Sequence, residues 1–196
     1  MPRKADITRH TAETRITIQI DLDGTGQSTI ATGIGFLDHM LTALARHSLF
    51  DLVVQAAGDL HIDFHHTIED VGIVLGQAIR EALADRRGVR RYGAASVPMD
   101  EALVDAAIDL SGRGFLAWSV RFERDKIGDM DTELFEEFFR ALASNALMTL
   151  HIHQCAGTNA HHVAEACFKA TARALRQATE LDPRAATAIP STKGSL

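Results

Sequence analysis

The chain has 196 residues, 46% of them hydrophobic, only four prolines, and a net charge of −6. That length suits one domain or two fused half-domains able to bury a substantial core. The charge and the lack of any basic run exclude an ordinary nucleic-acid binder, and no apolar stretch is long enough to span a bilayer.

The segment from Met1 to His10 is polar and lacks the apolar centre of a signal peptide. The two cysteines, Cys155 and Cys167, fit no disulfide framework or CxxC site and read as buried free thiols, so a cytoplasmic protein is expected. From Arg15 to Leu22 the apolar residues alternate (Ile16, Ile18, Ile20, Leu22), the period of a half-buried strand. Asp23-Gly24-Thr25-Gly26 predicts a tight turn and Gln27 to Ala31 a return strand, so a hairpin is expected to open the chain. A helix follows over Phe36 to His47, with Phe36, Met40, Ala43, Leu44 and His47 at helical spacing. Phe50 to Ala57 reads as a strand, Gly58 to Phe64 as a loop, and His65 to Ala84 as a long helix closed by Asp85 to Gly88.

The order then repeats. Ala102 to Leu110 and Phe115 to Phe122 are predicted strands around the turn Ser111-Gly112-Arg113-Gly114. Thr132 to Leu147 is a helix, Met148 to Cys155 a strand, and His161 to Leu181 a helix that Asp182-Pro183 ends. Each half therefore reads as hairpin, helix, strand, helix.

The repeat carries chemistry. His65-His66-Thr67-Ile68-Glu69 returns as His161-His162-Val163-Ala164-Glu165. A paired imidazole with a carboxylate three residues on offers the nitrogen and oxygen donors that Zn, Mn, Fe or Ni prefer. On a helix, His66 and Glu69 lie at i,i+3 and His65 and Glu69 at i,i+4, so each pair can share a face. Adjacent histidines point roughly 100° apart, so the two of a pair suit two different ions. A solvated helix cap is the plain alternative for one such motif, and two copies in matching contexts speak against it. His39 and Glu137 stand at nearly the same place ahead of Gly58 and Gly157 in their halves, which makes both candidate ligands.

The segments GFLDHML (35–41), DLHIDFHHTIEDVG (59–72), RYG (91–93) with PMDEAL (98–103), DLSGRG (109–114), TLHI (149–152), GTNAHHVAEACFKA (157–170) and PSTKGSL (190–196) together resemble the imidazoleglycerol-phosphate dehydratase family over nearly the whole chain. The resemblance implies an α+β fold of two duplicated half-domains, of the kind also found in the second domain of ribosomal protein S5, with helices packed between two mixed β-sheets. It implies one domain over 1–196, with repeats at about 10–88 and 89–182 and a phosphate-binding tail at 183–196. It further implies a cytoplasmic shell of 24 subunits with active sites between subunits and two Mn²⁺ per site.

Carried over by position, the metal ligands are His39, His65, His66, Glu69, His161, His162 and Glu165. A further family ligand is a His in an E-H-F-F segment, which here reads Glu136-Glu137-Phe138-Phe139, so Glu137 departs from the pattern. A carboxylate can replace imidazole on Mn²⁺. His151 and His153, on one face of the next strand, are the fallback donors and otherwise read as ordinary strand histidines. Arg91, Arg113, Lys169, Ser191 and Lys193 match phosphate-binding positions, and arginine in particular can grip phosphate bidentately. His47 matches a substrate-contacting histidine and Glu13 the acid/base glutamate. His10 and His61 read as surface or loop residues.

The implied activity is dehydration of D-erythro-1-(imidazol-4-yl)glycerol 3-phosphate to 3-(imidazol-4-yl)-2-oxopropyl phosphate in L-histidine biosynthesis. Lewis-acidic Mn²⁺ would favour the imidazolate form of the substrate ring. The hydroxyl next to the ring then leaves through a diazafulvene-like intermediate, a base takes the neighbouring proton, and the enol collapses to the ketone. Two rival classes use the same ligands, a binuclear metal hydrolase and a metal-storage shell. The first leaves the PSTKGSL tail without a purpose, and the second leaves the arginine and lysine anchors superfluous.

Overall fold

The computed structural model describes residues 2–194, so Ser195 and Leu196, the end of the expected phosphate-binding tail, lie outside the described residues. The first half runs β1 (Lys4–His10), β2 (Thr14–Asp21), β3 (Ser28–Ala31), α1 (Gly35–Ser48), β4 (Asp51–Gly58) and α2 (His65–Leu83). The second runs β5 (Tyr92–Met99), β6 (Ala102–Asp109), β7 (Phe115–Ser119), the short ribbon β8 (Lys126–Ile127) with β9 (Met130–Asp131), α3 (Leu134–Ala146), β10 (Thr149–Ala156) and α4 (Ala160–Thr179). The two four-stranded sheets have the same order, β1-β2-β4-β3 and β5-β6-β10-β7.

The alternation in β2 is realised: Ile16, Ile18 and Ile20 are buried. The expected hairpin is displaced. β3 does not return along β2 but runs parallel to β4, and β7 likewise runs parallel to β10. Parallel pairing needs a crossover, which α1 and α3 supply. The reason is local. Asp51, at the start of β4, accepts the backbone N–H groups of Thr25 (2.8 Å) and Gln27 (2.9 Å), so the 23–27 turn is held to β4. The true hairpins are β1–β2 and β5–β6, whose first strands are outer strands with a weak apolar signal, β1 from its exposed polar residues and β5 from its small ones.

Each long helix lies on its own sheet, α2 on β1 and β2 and α4 on β5 and β6, and each meets a helix of the other half: α2 packs on α3, and α4 on α1. Phe135, Phe138, Phe139 and Phe168 are fully buried, with Phe139 and Phe168 centroids 4.7 Å apart. Burying each such ring contributes about 1.5–3 kcal/mol. The α2–α3 approach is close enough that a Cβ on Gly76 would lie 2.7 Å from the Leu142 carbonyl oxygen. At Gly93 in β5 a Cβ would lie 2.0 Å from the Ala174 carbonyl oxygen of α4.

The predicted face of α1 is rotated. Leu37, Met40, Leu41, Leu44 and Ala45 are buried, while Phe36, Ala43 and His47 stand at the edge of the core. Cys167 is buried, but Cys155 is exposed, against the expectation of two buried thiols; both are free. The segment after α4 docks on residues 87–91 through Gly88 N–H to Ala188 O (2.9 Å) and Arg91 Nη1–H to Pro190 O (2.8 Å).

Candidate metal centre and substrate pocket

Both His-His pairs occupy the first turn of a helix. The backbone N–H of His65 is held by Asp63 Oδ1 at 2.8 Å. Asn159 caps α4, its side-chain oxygen accepting from His161 N–H (3.0 Å) and His162 N–H (3.4 Å). Those hydrogen bonds satisfy donors that have no intrahelical partner and fix where the imidazoles start. The rings within each pair stand nearly perpendicular, at 86° for His65 with His66 and 84° for His161 with His162.

His161 faces α1. Its Nε2 lies 3.1 Å from Glu165 Oε2, and His39 Nε2 lies 3.3 Å from the same oxygen. The three residues offer donor atoms within 4.8 Å of one another. Phe36 sets its ring against both imidazoles, with centroids 5.2 Å from His161 and 6.2 Å from His39. Sequence reasoning placed Phe36 in the core; a residue on the helix stripe that also abuts a histidine one turn on is the signal it missed. Glu165 is buried, which works against its charge, but Lys169 Nζ at 2.7 Å and the two imidazoles hold its carboxyl below the ordinary range.

The partner histidines turn to other carboxylates. His162 Nδ1 lies 2.7 Å from Glu101 Oε2, with Asp100 Oδ2 3.8 Å from its Nε2. His66 Nδ1 lies 2.9 Å from Asp59 Oδ2, and its Nε2 is 3.9 Å from Glu13 Oε1. These hydrogen bonds, from Glu101 and Asp59 respectively, raise both imidazoles above the ordinary histidine value, and His162 in turn pulls Glu101 down to about 2. A carboxylate on one ring nitrogen orients a histidine and leaves the other nitrogen for a metal. Asp59 Oδ1 is buried with no hydrogen-bond partner among the described residues. With imidazole and carboxylate donors and no thiolate, this ligand set fits a divalent ion such as Mn²⁺, Fe²⁺ or Zn²⁺. Asp59, Asp100 and Glu101 were not singled out from sequence, because only the fold brings them to the histidines.

Among the described residues, His65, Glu69 and Glu137 do not form a corresponding three-donor group. Glu137 lies on α3 with Oε1 3.9 Å from Arg140 Nε. Glu13 lies in the exposed β1–β2 turn, where Thr11 Oγ1 accepts its backbone N–H at 3.1 Å.

The anchoring residues fall in two places. Arg91, Arg113, Ser191 and Lys193 line one cavity of about 770 Å³ together with Ser111 and Pro190. Arg91 is committed within it: Nε and Nη2 donate to Asp109 at 2.7 and 3.2 Å while Nη1 holds the tail at Pro190. Lys169 lies elsewhere, on Glu165. His47 ends α1 half-buried, and burial first, then the charges of Lys169 and Arg173, push its imidazole below the ordinary value. Arg173 was also not singled out, although its i,i+4 spacing from Lys169 puts both on one face of α4. His10 and His61 are exposed, as expected.

A family model described as imidazoleglycerol-phosphate dehydratase matches residues 32–175. An imidazoleglycerol-phosphate dehydratase of Granulibacter bethesdensis is 71% identical over 196 residues, covering all of both chains. One from Acidiphilium cryptum is 68% identical over the same span. The crystal structure of the Staphylococcus aureus dehydratase superposes with a TM-score of 0.84 at 42% identity, covering 91% of this chain and 99% of its own. That of the Pyrococcus furiosus dehydratase gives 0.83 at 38% identity, covering 97% and 100%.

Proposed function

The chain belongs to the imidazoleglycerol-phosphate dehydratase family, and from that premise we propose how its residues share out the dehydration it performs in histidine biosynthesis. The enzyme is a lyase of a metal-dependent family. We take the metal to be Mn²⁺, two ions per site. His39, His161 and Glu165 would hold one; His65, His66, Glu69, His162 and Glu137 supply the remaining ligands. The observation that carries this is the convergence of His39, from the first half, and His161, from the second, on one oxygen of Glu165. Three donors do not fill an octahedral Mn²⁺, and His65 and Glu69 find no third donor among the described residues. Ligands shared between copies in a shell of 24 subunits, with the active sites between them, answer both facts. When bound, Mn²⁺ acts as a Lewis acid on the substrate's imidazole.

The chain's own groups do the rest. Arg113, Ser191 and Lys193, with Arg91 anchoring the tail, receive the phosphate of D-erythro-1-(imidazol-4-yl)glycerol 3-phosphate. His47 and Lys169, which lie on the side of Glu165, contact the substrate there. Glu13 takes the proton from the carbon next to the one that loses hydroxyl, and the enol then collapses to 3-(imidazol-4-yl)-2-oxopropyl phosphate. Its exposed position on a turn lets it reach a bound substrate, and Oε1 already stands 3.9 Å from His66. The chain is proposed as one domain of two repeats with a phosphate-binding tail. No helix among the described residues is long and apolar enough to cross a membrane, and we place the enzyme in the cytoplasm.

Chelation followed by light scattering and assay tests the scheme, since metal binding and assembly are linked. Metal removal is expected to abolish turnover and lower the particle mass, and Mn²⁺ to restore both. A particle of unchanged mass with full activity would remove the metal-site proposal.

A further inference from the structure

The outer face of the second sheet carries a donor group that the dehydration does not use. Asp105 on β6 and His153 on β10 are direct cross-strand partners. Their ladder slips between Gln154 and Ala156, so Cys155 sits in a bulge. A bulge re-aims the side chain it carries. Here it brings Cys155 Sγ to 3.2 Å from Asp105 Oδ2 and 3.6 Å from His153 Nδ1. The three donor atoms lie within 4.8 Å of one another, and all three residues are exposed. A hollow of about 360 Å³ opens beside Asp105 and His153, lined by the small side chains of Ala94, Ala95 and Ala107 and by His151.

We propose that Cys155, His153 and Asp105 form a second cation site, for a divalent ion of the zinc class, separate from the imidazole–carboxylate centre. Sulfur, imidazole nitrogen and carboxylate oxygen are the three ligand types that zinc accepts, and a tetrahedral ion held by three residues completes its shell with water. The thiolate is what separates this group from the catalytic one: it selects a softer ion than Mn²⁺. Hydrogen bonds from Ser96 and then Cys155 hold the Asp105 carboxyl below its ordinary value, so it is anionic at neutral pH. The Asp105 hydrogen bond, in turn, holds the Cys155 thiol above its ordinary value. The thiol therefore keeps its proton until a cation arrives; the S–H bond breaks, the sulfur–metal bond forms, and the proton leaves to solvent. Cys167 cannot imitate this, since it is fully buried in α4 and burial pushes its thiol up.

Cobalt is the probe, because a sulfur-to-cobalt charge-transfer band in the near ultraviolet reports thiolate ligation and the catalytic ligands contain no sulfur. Titrating Co²⁺ into the Mn²⁺-loaded enzyme is expected to raise that band to saturation, and Zn²⁺ to abolish it. Cys155→Ser and His153→Ala are expected to lose the band with turnover unchanged, while Cys167→Ser keeps it. Both lost side chains are exposed in the single chain, and thermal melting and particle mass of each variant check that fold and assembly are kept. No band in the native enzyme, or a band that survives Cys155→Ser, overturns the proposal.

Discussion

The two halves share a strand order but not a finished site. In the α1–α4 crossing, His39 of the first half closes on His161 and Glu165 of the second. In the α2–α3 crossing, where the same geometry would join Glu137 to His65 and Glu69, the three do not meet. The hairpin turns differ as well. Glu101, on the β5–β6 turn, is bound to His162 at 2.7 Å, whereas Glu13, on the β1–β2 turn, stands 3.9 Å from His66, whose firm partner is Asp59. The two halves thus repeat one frame and differ at single residues: one turn glutamate is hydrogen-bonded to its histidine, and the other stands off from its own.

Breaking the assembled trio is expected to have the largest effect. His39→Ala removes a donor and should cost at least about 10³ in kcat/KM, since Lewis-acid stabilisation contributes several kcal/mol. Glu137→Ala, in the open counterpart, should cost about tenfold or less, the low end for groups that tune a metal. Metal analysis beside kinetics distinguishes the two, and equal losses would erase the asymmetry. The turn glutamates come next. Glu13→Gln should lower kcat about 10²–10⁴-fold with metal content intact, while Glu101→Gln should weaken metal retention about 10–100-fold. Normal turnover in Glu13→Gln would refute its acid/base role.

Lys193→Ala should raise KM roughly ten- to a hundredfold, from about 1.5–3 kcal/mol of charge-assisted contact to phosphate. The loss should shrink for an analogue without phosphate; equal losses with both would mean that the tail closes the site without reading the phosphate. Smallest for activity is a packing test of the tighter crossing. Gly76→Ala drives a Cβ into the α3 backbone and should destabilise by about 1–3 kcal/mol, outweighing the ~1 kcal/mol that alanine gains in a helix. Gly35→Ala on α1, whose Cβ meets nothing within 4 Å, should stay within about 0.5 kcal/mol of neutral by thermal melting.

Local periodicity made most elements visible in the chain, and the ends of α2, β10 and α4 fall within two residues of expectation. The two HHxxE motifs were legible because their chemistry depends on i,i+3 and i,i+4 spacing within one helix. Pairing partners were not. Nothing within residues 23–31 tells that β3 runs beside β4, since the decisive hydrogen bonds come from Asp51. Nor does the sequence show that Asp59 and Glu101, from a loop and a turn, would hold His66 and His162. The exposed thiol of Cys155 follows from a one-residue ladder slip, invisible without the partner strand. The first-half alternation was strong in β2 because it is covered on one face, and weak in β1 because it is an outer strand.

The seam at Gly93 reaches farther than its size suggests. The same helix whose backbone it touches at Ala174 carries Glu165 nearer its other end, roughly 14 Å away at 1.5 Å per residue. A side chain at position 93 would therefore push a stiff rod, and the displacement would arrive at the Glu165 carboxylate. In a saturation-mutagenesis screen read by growth without histidine, position 93 will score as intolerantly as Glu165, although it faces a helix backbone and does not line the cavity at Arg113 and Lys193. A tolerance map of this enzyme will trace its mechanical linkages together with its chemistry, and the two must be separated before such a map is used to find catalytic groups.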